Sequence, residues 1–501
     1  MIFQILPHDI ILYNDGVMLQ FLFLYAWDFC LNEIKYHIMI LFVTFFFYCS
    51  SIQAKQKANV TKKSGRFLYH ANNLKLDAVS VTDSLRTIKL ENLPDAHPKC
   101  LVRLQGVTPF TERLWRVALA DIEKNIVTEN GISYFGAGKS FGASVYERDI
   151  AFSGILGCNI LYPDIMLSSF KYTRELRRKL GFTTSRSHTI TDIPAPWEPL
   201  DLAQREYFLK FHTNEITRRT DDVIWIWSAE DLLKRLDKPD WEWLYSEGTW
   251  FFDNIYRYFY DETDGLYRGQ AVFVDVHSET AKQSGYPTSW GLRECIMSKA
   301  VSTNALYFQG MKALSRTAGR LGRTADSVLW AQRAEKLKNA MCREMRHTDG
   351  TFTYLKTWDG KLLKQRHALG EALAVLFGIV EGNDARVALT AYPVTPAGLP
   401  LFYPFFCHYD NPQIYHDQSS WPFVDTFFLA AKEKAFGIDC TAQNASLLAR
   451  TCVKDGTFHE VVNMKTKEPF GSGSQLWSAA AFIDVCHRSG ISFHLLSKNS
   501  D

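Results

Sequence analysis

From Thr108 onward, segments with apolar residues spaced three to four apart follow one another, separated by loops rich in Gly, Pro and Trp. That spacing puts the apolar side chains on one face of an α-helix. It predicts helices over Glu112 to Lys124, Pro163 to Lys179, Ala203 to Arg219, Trp241 to Tyr260, Ser298 to Leu321 and Ala325 to Arg343. His367 to Ile379, Ser420 to Phe436, Ala442 to Cys452 and Gln475 to Arg488 follow the same pattern. With shorter stretches at Asp149 to Leu161 and Asp222 to Leu236 the number reaches about a dozen. A striped helix must bury its stripe against a neighbour, and short loops make successive helices antiparallel. A dozen helices can therefore close as six hairpins into a ring whose mouth is lined by loops. No β-α-β rhythm competes, and an open solenoid would carry a fixed repeat period that this chain lacks. The fold class expected is all-α, an (α/α)6 toroid. Ahead of it, alternation in Ala78-Val79-Ser80-Val81 and at Lys89-Leu90 suits strands in a short N-terminal arm.

Composition narrows the function. A hydrophobic fraction of 47% and a charged fraction of 22% describe a folded body with a sizeable core. The aromatic fraction of 14% suits a site that stacks sugar rings. A net charge of +2 without basic runs gives no footprint for nucleic acid. The ten cysteines form no C-x-x-C pair, which argues against a zinc ribbon or a thioredoxin-like centre. Most read as buried thiols, with a few disulfides left open. No cluster with metal-ligand spacing stands out, so no metal or other cofactor is expected, although a calcium ion stays open.

The first 53 residues differ from the rest, with one Lys, four acids and two apolar runs around Val17 to Phe29 and Met39 to Tyr48. The second run is too short to span a bilayer, and Ser50-Ser51-Ile52-Gln53-Ala54 supplies the small residues that signal peptidase needs. It reads as a signal peptide, with a translation start near Leu31 restoring a conventional one, and a lipoprotein anchored at Cys49 as the alternative. The expected organisation is a leader over 1–54, the arm over 55–107, the catalytic domain over 108–490 and a tail over 491–501. The expected location is outside the cytoplasm, periplasmic or extracellular, with no membrane span in the mature protein.

Four loop segments carry chemistry. The first ends Tyr146-Glu147-Arg148-Asp149 at the start of a helix. Arg148 and Asp149 can form a fork for adjacent sugar hydroxyls, unless Asp149 merely caps the helix. Its glycines have no phosphate-loop spacing. The second runs from Asp261 through Glu262, Asp264 and Arg268 to Asp275, and closes with Tyr286-Pro287. Glu262 and Asp264 read as a solvated turn. The third pairs Thr395 to Pro400 with Tyr415-His416-Asp417-Gln418-Ser419-Ser420-Trp421-Pro422. Trp421 offers a stacking face and His416 a donor. The fourth joins Phe458-His459-Glu460 to Pro469-Phe470-Gly471-Ser472-Gly473-Ser474-Gln475-Leu476-Trp477. Trp477 reads as helix packing.

Together these segments resemble the six-hairpin glycoside hydrolases of the mannosylglycerate-hydrolase-like, family 63-type glucosidase and trehalase kind. The resemblance implies that Tyr146, Arg148 and Asp149 bind a terminal sugar, and that Arg268, His416, Gln418 and Trp421 also contact substrate. It implies Asp275 as general acid, with Glu279 as rival if the register slips, and Glu460 as general base. Glycosidic cleavage passes through an oxocarbenium-like state, so one protonated carboxyl must assist the leaving oxygen while an ionised one activates water. Toroid precedent implies inversion, with carboxyls about 6.5 to 9.5 Å apart, and removal of a terminal sugar from an oligosaccharide or glycan. Three other readings stay open. A phosphorylase would replace the base with a phosphate site, a polysaccharide lyase would use a base such as Tyr146, His408, Tyr409 or His416, and a binding protein would need no carboxylate pair.

Overall fold

Trp330, Ala334, Leu337, Ala340 and Met341 are the buried positions of the helix Thr324–Glu344, a single stripe at helical spacing with charged residues on the other faces. The helix Ala368–Leu376 is buried at every position from Ala368 to Val375. The two patterns mark the outer and inner layers of a double ring. The computed structural model describes residues 74–80, 87–180, 220–254, 256–274, 285–406 and 415–495. The helix expected over Ala203 to Arg219 and the leader lie outside them.

Twelve helices of seven residues or more stand among the described residues. They are α1 Pro109–Glu123, α2 Glu147–Ser153, α3 Pro163–Leu180, α4 Asp221–Leu233, α5 Trp241–Asn254 and α6 Val301–Arg320, followed by α7 Thr324–Glu344. The remainder are α8 Ala368–Leu376, α9 Gly382–Leu389, α10 Pro422–Phe436, α11 Thr441–Arg450 and α12 Leu476–Arg488. The even-numbered helices pack in a closed cycle: α2 on α4, α4 on α6, α6 on α8, α8 on α10, α10 on α12, and α12 back on α2. Each odd-numbered helix lies outside, as α7 does on α6 and α1 on α12. This is the (α/α)6 toroid. Helix α9 falls outside the helices expected from sequence, because it is short and begins at a glycine, which disfavours a helix interior.

In the arm, Val79–Ser80 forms a strand paired antiparallel with Thr87–Ile88, whereas Lys89-Leu90, expected to be extended, leads into the 3-10 turn Leu90–Asn92. Val102–Gln105 pairs antiparallel with Ser492–Leu495 near the end of the chain. Helix α1 begins on Thr108, whose hydroxyl accepts from the Thr111 amide at 3.3 Å, with Pro109 at the first helical position. Trp115 on its inner side is fully buried and donates to the Val102 carbonyl at 3.0 Å, joining arm to ring. Of the seven cysteines among the described residues none forms a disulfide, and Cys158, Cys295, Cys440, Cys452 and Cys486 are buried. Among the described residues no helix is long and apolar enough to cross a membrane.

Candidate active site

The loops that lead into inner helices α2, α10 and α12 converge. Helix α2 begins on Tyr146, and no side chain caps it, so Asp149 in its first turn is not a cap. This helix start is bolted from behind. Glu147 pairs with the fully buried Arg174 of α3, which pairs with Asp222 of α4 at 2.9 Å, and Tyr256 donates to Asp222 at 2.9 Å. The Arg174 guanidinium also lies over the Trp225 ring, 4.3 Å from its centre. Arg148 pairs with Asp221 at 2.8 Å. Because every charge in this set is paired, α2 presents Tyr146, Arg148 and Asp149 in one fixed orientation.

Ser419–Ser420 pairs antiparallel with Val461–Asn463, which pairs with Pro469–Phe470. That small sheet brings Glu460, the residue before its middle strand, against Tyr415. Trp421 then starts α10, with Pro422 at its first helical position. The Trp421 ring stacks on His416 at 5.4 Å and 9°, and its indole donates to the Ser419 hydroxyl at 3.2 Å. Gly398, from the Thr395 to Pro400 turn, sits where an added Cβ would lie 2.1 Å from Ser420 Oγ. Its neighbour Leu399 donates from its amide to Asp425 at 3.0 Å. The turn thus braces α10 rather than facing substrate.

The result is a cavity of about 250 Å³ lined by Phe141, Tyr146, Arg148, Asp149, Phe273, Tyr415, His416, Trp421, Glu460 and Trp477. Six residues singled out from sequence meet there: Tyr146, Arg148, Asp149, His416, Trp421 and Glu460. Gln418 is 1% exposed and does not line the cavity. It takes the left-handed turn, with φ of 57°, that carries the chain from His416 to Trp421. Arg268 does not line the cavity either. Its guanidinium pairs with Asp261 at 2.5 Å, in a network where Lys299 reaches Asp261 at 2.7 Å and Asp264 at 2.5 Å, and Lys356 reaches Asp264 at 2.9 Å. Glu262 is exposed as expected, but Asp264 is buried, because two lysines compensate its charge. Asp275, Glu279, His408 and Tyr409 lie outside the described residues.

Glu460 is 3% exposed, and both of its oxygens are held. Tyr415 donates its hydroxyl to Oε1 at 2.7 Å, and the Ser472 amide donates to Oε2 at 3.0 Å. Burial pushes the Glu460 carboxyl above the ordinary range, while these two donors hold it down. A carboxylate whose pKa is raised in this way is a stronger base than a solvent-exposed one. Gly471 makes this possible. Its φ is 75°, and an added Cβ would stand 2.6 Å from Glu460 Oε2.

Four lining residues, Phe141, Phe273, Tyr415 and Trp477, carry no site role in the sequence reading. Phe273 sits in the apolar run Ala271 to Val274, which reads as core, yet it has φ of 56° and packs on Trp421 at 4.9 Å. Such strain costs roughly 1–3 kcal/mol and tends to persist at functional sites. Trp477 stacks on Phe423 at 4.3 Å and 18°, which is the packing expected of it, but it also faces the cavity. Its buried Nε1 has no hydrogen-bond partner. Among the described residues, no group of three or more His, Cys, Asp or Glu is placed to hold a metal ion.

Residues 259–478 match the family model of the mannosylglycerate hydrolase MGH1-like glycoside hydrolase domain. Among solved structures, the chain is similar to the family 63 mannosylglycerate hydrolase of Thermus thermophilus, determined in complex with Tris. The TM-score is 0.53 at 13% identity over 74% of this chain and 99% of that one. A wild-type glycosidase gives a TM-score of 0.51 at 16% identity, covering 76% and 97%. The neutral trehalase of Saccharomyces cerevisiae gives 0.51 at 14% identity, covering 71% and 73%. Against a sialidase, 78% of this chain spans about a third (34%) of the other, with a TM-score of 0.52 at 14% identity. No curated protein sequence matches it. These likenesses fix the fold, and the domain match makes the chain a glycosidase.

Proposed function

We propose that this glycosidase removes one terminal sugar from an oligosaccharide or glycan with inversion at the reacting carbon, and that Glu460 is its general base. The observation that carries the reading is the Glu460 carboxylate, held by two donors and opening into an aromatic-walled cavity that also presents Arg148 and Asp149. A volume of about 250 Å³ equals roughly eight water molecules at liquid density, the scale of a single sugar ring rather than a chain. Tyr146 and Trp421 supply faces for the ring, while Arg148, Asp149 and His416 supply polar groups for its hydroxyls. The unpartnered Trp477 Nε1 adds a donor whose partner is a sugar oxygen, since a buried N–H without an acceptor costs about 1–3 kcal/mol.

Asp275 is the proposed general acid. It follows two residues after Phe273, a cavity-lining residue. In the reaction, Asp275 protonates the leaving oxygen as the glycosidic bond breaks. Glu460 takes a proton from the water that attacks the opposite face, and each carboxyl ends in the state in which the other began. The mature enzyme acts outside the cytoplasm, after cleavage near Ala54.

The test is proton NMR of the first product formed from a panel of oligosaccharides of known anomeric configuration. Release of the inverted anomer before mutarotation supports the proposal. Release of the retained anomer would require the nearer carboxyl spacing, about 5 to 5.5 Å, of a double displacement and would overturn it.

A further inference from the structure

On the outer side of the ring, α5, α7 and the hairpin that follows α5 enclose a hollow of about 380 Å³. Among the described residues it shares no lining residue with the catalytic cavity. By the same measure that fits one sugar ring to the cavity, the hollow has room for roughly one or two. The hairpin pairs Tyr260–Asp261 antiparallel with Leu266–Tyr267, which sets Tyr260 and Tyr267 directly opposite each other with their rings 5.0 Å apart. Its turn closes from the Gly265 amide to the Asp261 carbonyl at 2.8 Å, with φ of 77° at Gly265. Asp261 and Asp264 meet the buried Lys299 described above, whereas Glu262, the remaining acid of the turn, is exposed and lines the hollow.

Tyr267 is held rigidly. Asn304 of α6 accepts from its amide at 2.8 Å and donates to its carbonyl at 3.0 Å, and its ring packs on Tyr307 at 4.2 Å. The residue is 7% exposed, yet its hydroxyl makes no hydrogen bond among the described residues. Other buried tyrosines are satisfied within the ring: Tyr256 donates to Asp222 at 2.9 Å, Tyr286 to the Val274 carbonyl at 2.9 Å and Tyr392 to the Pro400 carbonyl at 3.0 Å. Tyr260, Arg333 and Asp253 act electrostatically on the Tyr267 hydroxyl, and all three line the hollow. The hydroxyl therefore faces the hollow as a fixed group whose partner comes from outside.

The rim decides what that partner is. Asp253 and Glu262 supply acceptors, and Arg257, Arg333 and Lys336 supply donors. Arg333 is set over the Trp330 ring at 4.6 Å and reaches Asp253 at 3.5 Å, while Lys336 stands 5.7 Å from the centre of the Tyr260 ring. An anion would meet the two carboxylates, and a cation would meet the three positive groups. A neutral ring of hydroxyls, each both donor and acceptor, uses both signs. Tyr260 and Phe252 add the apolar surface that the C–H face of such a ring needs. We propose that the hollow is a second, non-catalytic carbohydrate site, which holds a neutral sugar unit of a glycan outside the cavity. That this glycan is also a substrate rests on the hydrolase reading, whereas the binding of a sugar in the hollow does not.

The experiment uses the full chain carrying Glu460→Gln, so that ligands bind without turnover. It is titrated calorimetrically with maltotetraose, cellotetraose, mannotetraose and chitotetraose, alone and with Tyr260→Ala or Tyr267→Phe added. The second change removes only the hydroxyl and leaves the packing of the ring. At least one tetrasaccharide should occupy a site that Tyr260→Ala weakens by about tenfold or more. Tyr267→Phe should weaken the same site by roughly two- to tenfold, the worth of one hydrogen bond. Absence of a Tyr260-dependent site for all of these sugars, unchanged affinity in Tyr267→Phe, or displacement of the sugar by inorganic phosphate overturns the proposal. Turnover of a panel of simple aryl glycosides by Tyr260→Ala in the otherwise unsubstituted protein should equal that of wild type, and its loss would place Tyr260 in the catalytic machinery and overturn the proposal as well. Absence of aryl glycoside turnover by wild type would count against the hydrolase reading, while the titrations judge the hollow alone.

Discussion

Replacing Tyr415 by Phe removes one oxygen atom and with it the 2.7 Å hydrogen bond to Glu460 Oε1, leaving the Ser472 amide as donor to the other carboxylate oxygen. A hydrogen bond to a charged group contributes roughly 1.5–3 kcal/mol, and the site is too buried for bulk water to replace it freely. One tenfold step in a protonation equilibrium corresponds to about 1.4 kcal/mol, so the ionisation of Glu460 shifts by roughly ten- to a hundredfold. The direction follows from the chemistry. Tyr415 favours the ionised carboxylate and opposes burial, so its loss raises the pKa further. A base must be ionised to act, and the acidic limb of kcat/KM therefore moves to higher pH in the variant. Well above that limb the base is ionised in both proteins, and the two rates converge. The assay is kcat/KM against pH for wild type and Tyr415→Phe on the same oligosaccharide. An acidic limb that does not move, or a loss equal at every pH, would refute the reasoning and place Tyr415 on the substrate instead.

Other consequences can be measured separately. Gly471→Ala places a methyl 2.6 Å from Glu460 Oε2 at a φ of 75°, so activity should fall about a hundredfold while circular dichroism stays that of a folded protein. Wild-type kinetics after Gly471→Ala would count against the placement of the carboxylate. Arg174→Met strands Glu147 and Asp222 in the interior and should cost about 3–5 kcal/mol in denaturant unfolding, where a change below about 1 kcal/mol would contradict the buried network. Burial raises the Asp425 carboxyl to about 8. The folded state therefore holds this proton more tightly than the unfolded chain, and stability contributed by the group is complete below its unfolded pKa near 4 and is lost as pH rises toward 8. Asp425→Asn should flatten thermal stability across that window, and an unchanged slope would contradict the shift. N-terminal sequencing of secreted protein should begin close to Lys55, and a mature terminus well before it would overturn the proposed processing.

The ring of helices was legible because its signal is repeated. Stripes such as Trp330, Ala334 and Leu337 are local and periodic, and closure follows from the number of helices rather than from any single contact. The site was legible where chemistry and loop context coincide, as in Tyr146 to Asp149 and Tyr415 to Trp421. It was hidden where a residue's role depends on backbone conformation. Nothing in Ala271-Val272-Phe273-Val274 announces a left-handed phenylalanine, and an aromatic at the start of α12 reads as core whether or not it also meets a cavity. Arg268 illustrates the converse. Its partner Asp261 stands seven residues away and also joins Lys299, two residues before α6. Ion-pair networks of that kind are assembled by the fold and leave no pattern in sequence.

The most direct measurement is kcat/KM for Glu460→Gln beside wild type, on whichever oligosaccharide of the panel wild type cleaves, together with ligand-induced thermal stabilisation of the variant. Glutamine keeps the shape of the side chain and can still accept from Tyr415, but it cannot take a proton from water. The predicted result is a loss of at least about a hundredfold in kcat/KM with sugar binding retained. Activity within about tenfold of wild type, or loss of activity together with loss of binding, would contradict Glu460 as the base.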